Sequence, residues 1–250
     1  MIYFDHNATS PLSDAAREAW VDASDRLVGN PSSPHRLGAR TEKALADARE
    51  QLAGFLGCGA LDIVWTSGAT ESSNIVMYHY AKTLAPDAEV WVSAIEHPCV
   101  MSPAESLRKS GWSLEIFPVT KDGQVIVEEI KANAFERNCL VSVMLANNET
   151  GVLQAVKELA ANVRRAGGWI HTDAIQAIGK IPVSFSDLGV HAMSVSAHKL
   201  NGPKGVGALI VDKKLPIDAF IKGGGHEFGL RSGTENVASI VGFGVAATLV

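Results

Sequence analysis

The chain has 250 residues, enough for a substantial buried core, and its 46% hydrophobic and 20% charged residues are ordinary for a soluble globular protein. A net charge of −5 at pH 7 argues against a nucleic-acid-binding surface, and no run reaches the ~20 apolar residues that span a bilayer. Three cysteines, Cys58, Cys99 and Cys139, are spaced without a C-x-x-C pair, so the expected setting is a reducing cytoplasm rather than a disulfide framework.

Residues 1–14 read as an N-terminal arm, with no basic and apolar leader pattern in Met1-Ile-Tyr-Phe-Asp-His6. Residues 15–250 read as one α/β domain. Helical patterns cover Asp14–Leu27 and Ala39–Leu56, joined by the turn-rich Gly29-Asn-Pro-Ser-Ser-Pro-His35. Strands are expected at Ile63–Thr66, Val90–Ser93, Leu114–Phe117, Leu140–Leu145, Trp169–Thr172, Ala192–Ser196 and Val206–Val211. Amphipathic helical stretches fall between several of them, at Ser72–Leu84, Cys99–Ser110, Val125–Ala134 and Val156–Ala166. The strands are continuously apolar rather than alternating, which implies burial on both faces in a mostly parallel central sheet flanked by helices. The pairs Arg164-Arg165 and Lys213-Lys214 fit solvated faces. Ala238–Val250 reads as a largely buried helix that stops without a glycine cap or a basic last turn, so the natural protein is expected to continue, or a partner to cover this end.

The candidate chemistry centres on Ser194-Val-Ser-Ala-His-Lys199. A lysine amine becomes nucleophilic at neutral pH when burial and nearby cations lower its pKa, which suits Schiff-base chemistry. Asp173, 199 − 173 = 26 residues earlier at the end of an apolar segment, is suited to pair with the ring nitrogen of pyridoxal phosphate. Ser67-Gly-Ala-Thr70 follows a strand and opens a helix, a place where free N–H groups attract a phosphate; alone, the pattern fits a plain capped turn better. His97 is placed to stack on a flat cofactor and move protons, although alone it reads better as a surface loop histidine. Asn147-Asn148 ends a strong strand, either as a turn or as an amide donor to a ring oxygen, and Gln176 offers the same donor.

Gly223–Thr234 and Gly202–Leu209 fit neither a dinucleotide fingerprint nor a phosphate-binding Walker loop. His171 and Asp173 form an H-x-D pair without the cysteine or H-x-x-x-H spacing of a metal site, so no metal is expected. Cys58 and Cys139 read as small core residues. Cys99, at a helix start, has one of the features of a nucleophilic thiol.

Taken together, Asp5–Pro11, Gly29–Ser33, Thr66–Ser72, Glu96-His97, Asn147–Gly151, His171–Gln176, Ser196–Gly205 and Arg231–Thr234 resemble the cysteine desulfurases, in the class V aminotransferase group of fold-type-I pyridoxal phosphate enzymes. The resemblance implies that Lys199 carries the cofactor and later moves the substrate α-proton. It implies that Asp173 holds the pyridine nitrogen, that His97 stacks on the ring, and that Ala69, Thr70, Ser196 and His198 cradle the phosphate. Asn148 and Gln176 would meet the ring oxygen or the substrate side, and Thr234 the phosphate of a neighbouring subunit, so a homodimer is implied. Asn30 would meet the substrate carboxylate. The implied reaction converts L-cysteine to L-alanine and passes sulfur to an enzyme cysteine, for iron–sulfur cluster or thio-cofactor synthesis, with a sulfur-acceptor or scaffold protein as partner. The family's nucleophilic cysteine and carboxylate-binding arginine, in a small C-terminal domain, have no counterpart here. Selenocysteine lyase or a related class V aminotransferase, and a non-catalytic truncated cofactor-fold interaction protein, remain alternatives.

Overall fold

The computed structural model describes residues 2–83, 88–126, 139–212, 215, 217–219 and 221–250. Residues 2–13 contain no helix or strand. Helix α1 (Asp14–Arg26) starts where the Ser13 hydroxyl accepts from Ala16 N–H, and α2 (Arg36–Leu56) where the His35 ring accepts from Gly38 N–H. Helix α2 stops at Gly57, whose φ of +59° closes the last turn without a Cβ penalty. The remaining helices are α3 (Ala69–Thr83), α4 (Pro98–Lys109), α5 (Val156–Arg165), the single turn α6 (Phe185–Leu188) and α7 (Val237–Ala247).

Seven strands among the described residues form one sheet: β1 (Ile63–Thr66), β2 (Glu89–Ser93), β3 (Ser113–Phe117), β4 (Cys139–Ser142), β5 (Trp169–Asp173), β6 (Ala192–Ser196) and β7 (Gly207–Val211). Their order is β1-β7-β6-β5-β4-β2-β3, and β7 runs antiparallel to both its neighbours while the other pairings are parallel. Every residue of β1, β4, β6 and β7 is buried, whereas β3 at the edge is largely exposed.

Successive residues feed two cores, one on each face of the sheet. Val141, Met193 and Val195 join Leu52, Leu159 and Phe243, from α2, α5 and α7. Leu140 and Ala192 join Met77, Tyr80, Val100 and Leu107, from α3 and α4. Helix α7 lies against α1 and α2. It comes close because it lacks side chains where they meet: a Cβ on Gly244 would sit 2.8 Å from the Ala48 Cα.

The expected strand Leu140–Leu145 ends earlier as β4, yet its backbone keeps following β5. Val143 N–H donates to His171 C=O and Leu145 N–H to Asp173 C=O (3.2 and 2.8 Å). Helices α2 and α3 begin three residues before their apolar patterns do; for α2 the His35 cap rather than periodicity sets the start. Most of the expected helix Val125–Ala134, from residue 127 on, lies outside the described residues, as do Leu84 and the Lys213-Lys214 pair. Val125 itself bridges Val119. The turn α6, capped by Ser184 and closed by Gly189 at φ +69°, is too short to leave a periodic signal.

Candidate functional site

A cavity of about 990 Å³ opens beyond the carboxyl ends of the strands, where sheets of this kind take their ligands. Each wall follows from local chain chemistry. Beyond β1, Gly68 takes φ +155° and the chain turns directly into α3. Gly207 on β7 lets the two segments touch, since a Cβ there would lie 2.7 Å from the Gly68 Cα. Ser67 N–H donates to Glu71 Oε2 (2.8 Å), and Glu71 is gripped in turn by Arg231 through Nε (2.7 Å) and a second guanidinium nitrogen (3.2 Å). Ala69 and Thr70 line the cavity at the start of α3, with Ser196 and His198 nearby. The first N–H groups of a helix lack intrahelical partners and carry its positive end, so this wall suits an anion.

The floor is Asp173, at the end of β5 and only 4% exposed. Its Oδ1 accepts from Ile175 N–H (2.9 Å) and its Oδ2 from the Cys99 thiol (3.5 Å). Burial pushes the carboxyl up from its usual range; these two donors and the charges of His97 and Lys199 oppose that shift. A buried carboxylate among cations and donors suits a positively charged ring nitrogen.

Lys199 follows β6 in a short 3-10 turn, and its ammonium donates to the backbone carbonyls of Asn7 and Ala8. Burial lowers its pKa, opposed by Asp173 and Asp5. The N-terminal arm is tied over this lysine. Ser10 N–H and Oγ–H both donate to His198 C=O (2.8 Å each), and the Thr9 hydroxyl pairs with His198 Nδ1 (3.1 Å). His198 is itself lowered by burial and by Lys199 and Lys204.

His97 caps α4, its Nδ1 accepting from Cys99 N–H (3.1 Å). That nitrogen is engaged as an acceptor, which leaves Nε2 as the ring's donor position. The adjacent asparagines divide the two roles open to them. Asn147 builds the turn, its Oδ1 accepting from Glu149 N–H, Thr150 N–H and the Thr150 hydroxyl, while Asn148 lines the cavity with its amide turned to Glu149 Oε1 (2.7 Å). Gln176 also lines it, donating to Asn7 C=O (2.8 Å) and accepting from Lys180.

Nine of the residues singled out from the sequence thus share one cavity: Ala69, Thr70, His97, Asn148, Asp173, Gln176, Ser196, His198 and Lys199. Asn30 and Thr234 do not line it. Asn30 is exposed and its Oδ1 accepts from Ser32 N–H (2.9 Å), and Thr234 is exposed on the glycine-rich segment. Cys99 is corrected as a candidate nucleophile. It is 5% exposed, and burial together with Asp173 pushes its thiol well above the usual range, so the reactive thiolate is suppressed. Burial also pushes Cys58 and Cys139 up to about 12. Sequence reasoning assigned no role to the arm carbonyls of Asn7 and Ala8 or to Lys180, because backbone acceptors leave no side-chain signal. Among the described residues, no three His, Cys, Asp or Glu side chains gather in a group able to hold a metal ion.

The fold and this cavity define a class of protein, and the aminotransferase class-V family matches residues 2–250. The chain belongs to that family. It is 39% identical over 249 residues to a cysteine desulfurase IscS of Dictyoglomus turgidum, covering 99% of this chain and 63% of that relative. It is similar to a solved NifS-like protein at 39% identity and a TM-score of 0.96, covering 99% of this chain and 69% of the other. A structure described as SspA in complex with cysteine matches at 32% identity and a TM-score of 0.93, covering 99% of this chain and 72% of that one. The chain thus spans about 63% of the length of the curated relative it matches.

Proposed function

We propose that this chain binds pyridoxal 5′-phosphate and acts on L-cysteine as a cysteine desulfurase, yielding L-alanine and a transferable sulfur. The observation that carries the reading is the convergence of Lys199, Asp173 and the start of α3 on one cavity. The residues fit the cofactor. Ala69, Thr70, Ser196 and His198 would hold its phosphate, Asp173 its ring nitrogen, and Lys199 its aldehyde carbon. When bound, the cofactor supplies an electron-poor ring that accepts the electron pair left at the substrate α-carbon.

The chain's own groups then divide the proton work. Lys199, its pKa lowered by burial, exchanges a proton at Nζ more readily than a solvated lysine. His97 presents Nε2–H as a donor while Nδ1 stays bound to the helix start. The N-terminal arm holds the lysine amine in place through the carbonyls of Asn7 and Ala8. Cys58 and Cys139 lie outside the cavity, and Cys99 is buried with its thiol on Asp173, so none of the three is placed to accept sulfur. Relatives named cysteine desulfurase and a neighbour described with cysteine support the choice of substrate. The same reading puts the protein in the cytoplasm as a homodimer supplying iron–sulfur or thio-cofactor synthesis, with exposed Thr234 available to a second copy.

Loading with pyridoxal phosphate, borohydride reduction and peptide mass mapping test the reading. The adduct is expected on Lys199, and Lys199→Ala should remove it without changing the far-ultraviolet circular dichroism. An adduct on Lys204 or Lys180, or none on the folded protein, would overturn it.

A further inference from the structure

We propose that Cys99 is a positioning residue whose thiol orients the Asp173 carboxylate toward the cofactor ring, an inference that rests on the pyridoxal phosphate reading above. Asp173 has two oxygens and two protein donors, and the donors come from different elements. Ile175 N–H, just beyond β5, holds Oδ1 at 2.9 Å, and the thiol at the start of α4 holds Oδ2 at 3.5 Å. An aspartate χ2 is a broad torsion, so one donor leaves the carboxylate free to swing and two set its plane.

The thiol is itself held. The one proton of the Ser73 hydroxyl is shared between two acceptors, the sulfur (3.9 Å) and Ser194 Oγ (3.5 Å). The S–H is thereby left to Asp173. Because burial keeps the thiol protonated, it remains a donor at working pH. The same residue's N–H fixes His97, so one position on α4 orders both the ring-facing histidine and the carboxylate beneath it. The other charged groups acting on Asp173 are His97 and Lys199, and Asp173 in turn acts on Glu96 in the β2–α4 turn.

The test compares wild type with Cys99→Ser, which keeps a donor, and Cys99→Val, which has none and is larger by about a methyl group. Cys99→Ala is measured alongside in case valine does not fold. Each protein is loaded with pyridoxal phosphate. The cofactor's dissociation constant and the pH midpoint of its lysine-linked absorbance are then recorded, with thermal unfolding as the folding control. Loss of the donor should weaken cofactor binding roughly three- to tenfold, a hydrogen bond's worth. It should also move the absorbance midpoint to higher pH, because negative charge left undivided on Oδ2 favours the protonated lysine-linked nitrogen. Serine should stay near wild type in both. Wild-type behaviour in both valine and alanine variants would overturn the proposal, as would a serine variant displaced as far as valine. If wild type itself forms no Lys199 adduct, the cofactor reading fails instead, whatever residue 99 does.

Discussion

At the floor of the cavity Asp173 is 4% exposed and each of its oxygens has a protein donor, whereas an outer pair, Asn30 and Thr234, is exposed and lies outside the cavity lining. Below the floor, His171 is fully enclosed between the Ser142 and Ser194 hydroxyls, 2.8 Å from each. Glu96 is held by the Ser93 hydroxyl and Met144 N–H. Burial therefore shifts Asp173, Glu96 and His171 away from their usual ranges, whereas the outer pair is met by water. A substitution at the floor should alter chemistry and pH response, and one in the outer pair should leave a single chain nearly unchanged.

The strongest way to break this contrast is Asp173→Ala. The variant should still take up cofactor on Lys199, because the anion wall and the lysine remain. Exchange of the substrate α-proton with solvent should fall on the order of 10²–10³-fold, the usual cost of removing one preorganised charge. Nuclear magnetic resonance of L-alanine in deuterated water measures this directly. Exchange at the wild-type rate would mean that the floor carboxylate does not polarise the ring.

Next in size is the pH dependence of stability. Burial pushes Glu96 from 4.5 up to about 8, so between those values the folded protein keeps a proton that the unfolded chain has released. Folding is favoured less as pH rises through that window. His171 acts in the opposite sense: burial lowers it from 6.5 to about 3, and stability falls as pH drops below 6.5 because the unfolded chain takes up the proton first. Glu96→Gln mimics the protonated acid. It should therefore match wild type near pH 4.5 and exceed it increasingly up to pH 8, by on the order of a few kcal/mol, then hold a constant lead. Urea unfolding at a series of pH values reads this difference, and a flat difference would show that Glu96 does not titrate in the window.

The same division explains what was legible in the chain. Largely apolar strands such as Leu140–Leu145 gave the parallel sheet away, and residues at or just past strand ends, such as Asp173 and Lys199, declared themselves by chemical type. What stayed hidden was contact between distant segments. Ser10 binding His198 C=O and Gly207 meeting Gly68 depend on the completed fold, not on any local pattern. Cys99 was legible as a helix-start thiol, but its burial beside Asp173 reverses the reactivity that position implied. The turn at Asn147 and the cavity position of Asn148 could not be separated from sequence, since adjacent residues of one type differ only in which way the strand end faces.

The smallest expected effect sharpens the comparison from the outer pair. Asn30→Ala removes one acceptor, the Oδ1 that takes Ser32 N–H, in an exposed turn that can rebind water. The loss of stability should be about 0.5–1 kcal/mol, in the range of a local cap. Thr234→Ala, exposed and outside the cavity, should lose less still. In dilute monomer both variants should bind pyridoxal phosphate with wild-type affinity. If Thr234→Ala instead weakens cofactor binding as protein concentration rises, while Asn30→Ala does not, the outer threonine of one chain completes the anion wall of another. The concentration series thus distinguishes an outer residue that is idle from one that serves a neighbour, which a single chain cannot reveal.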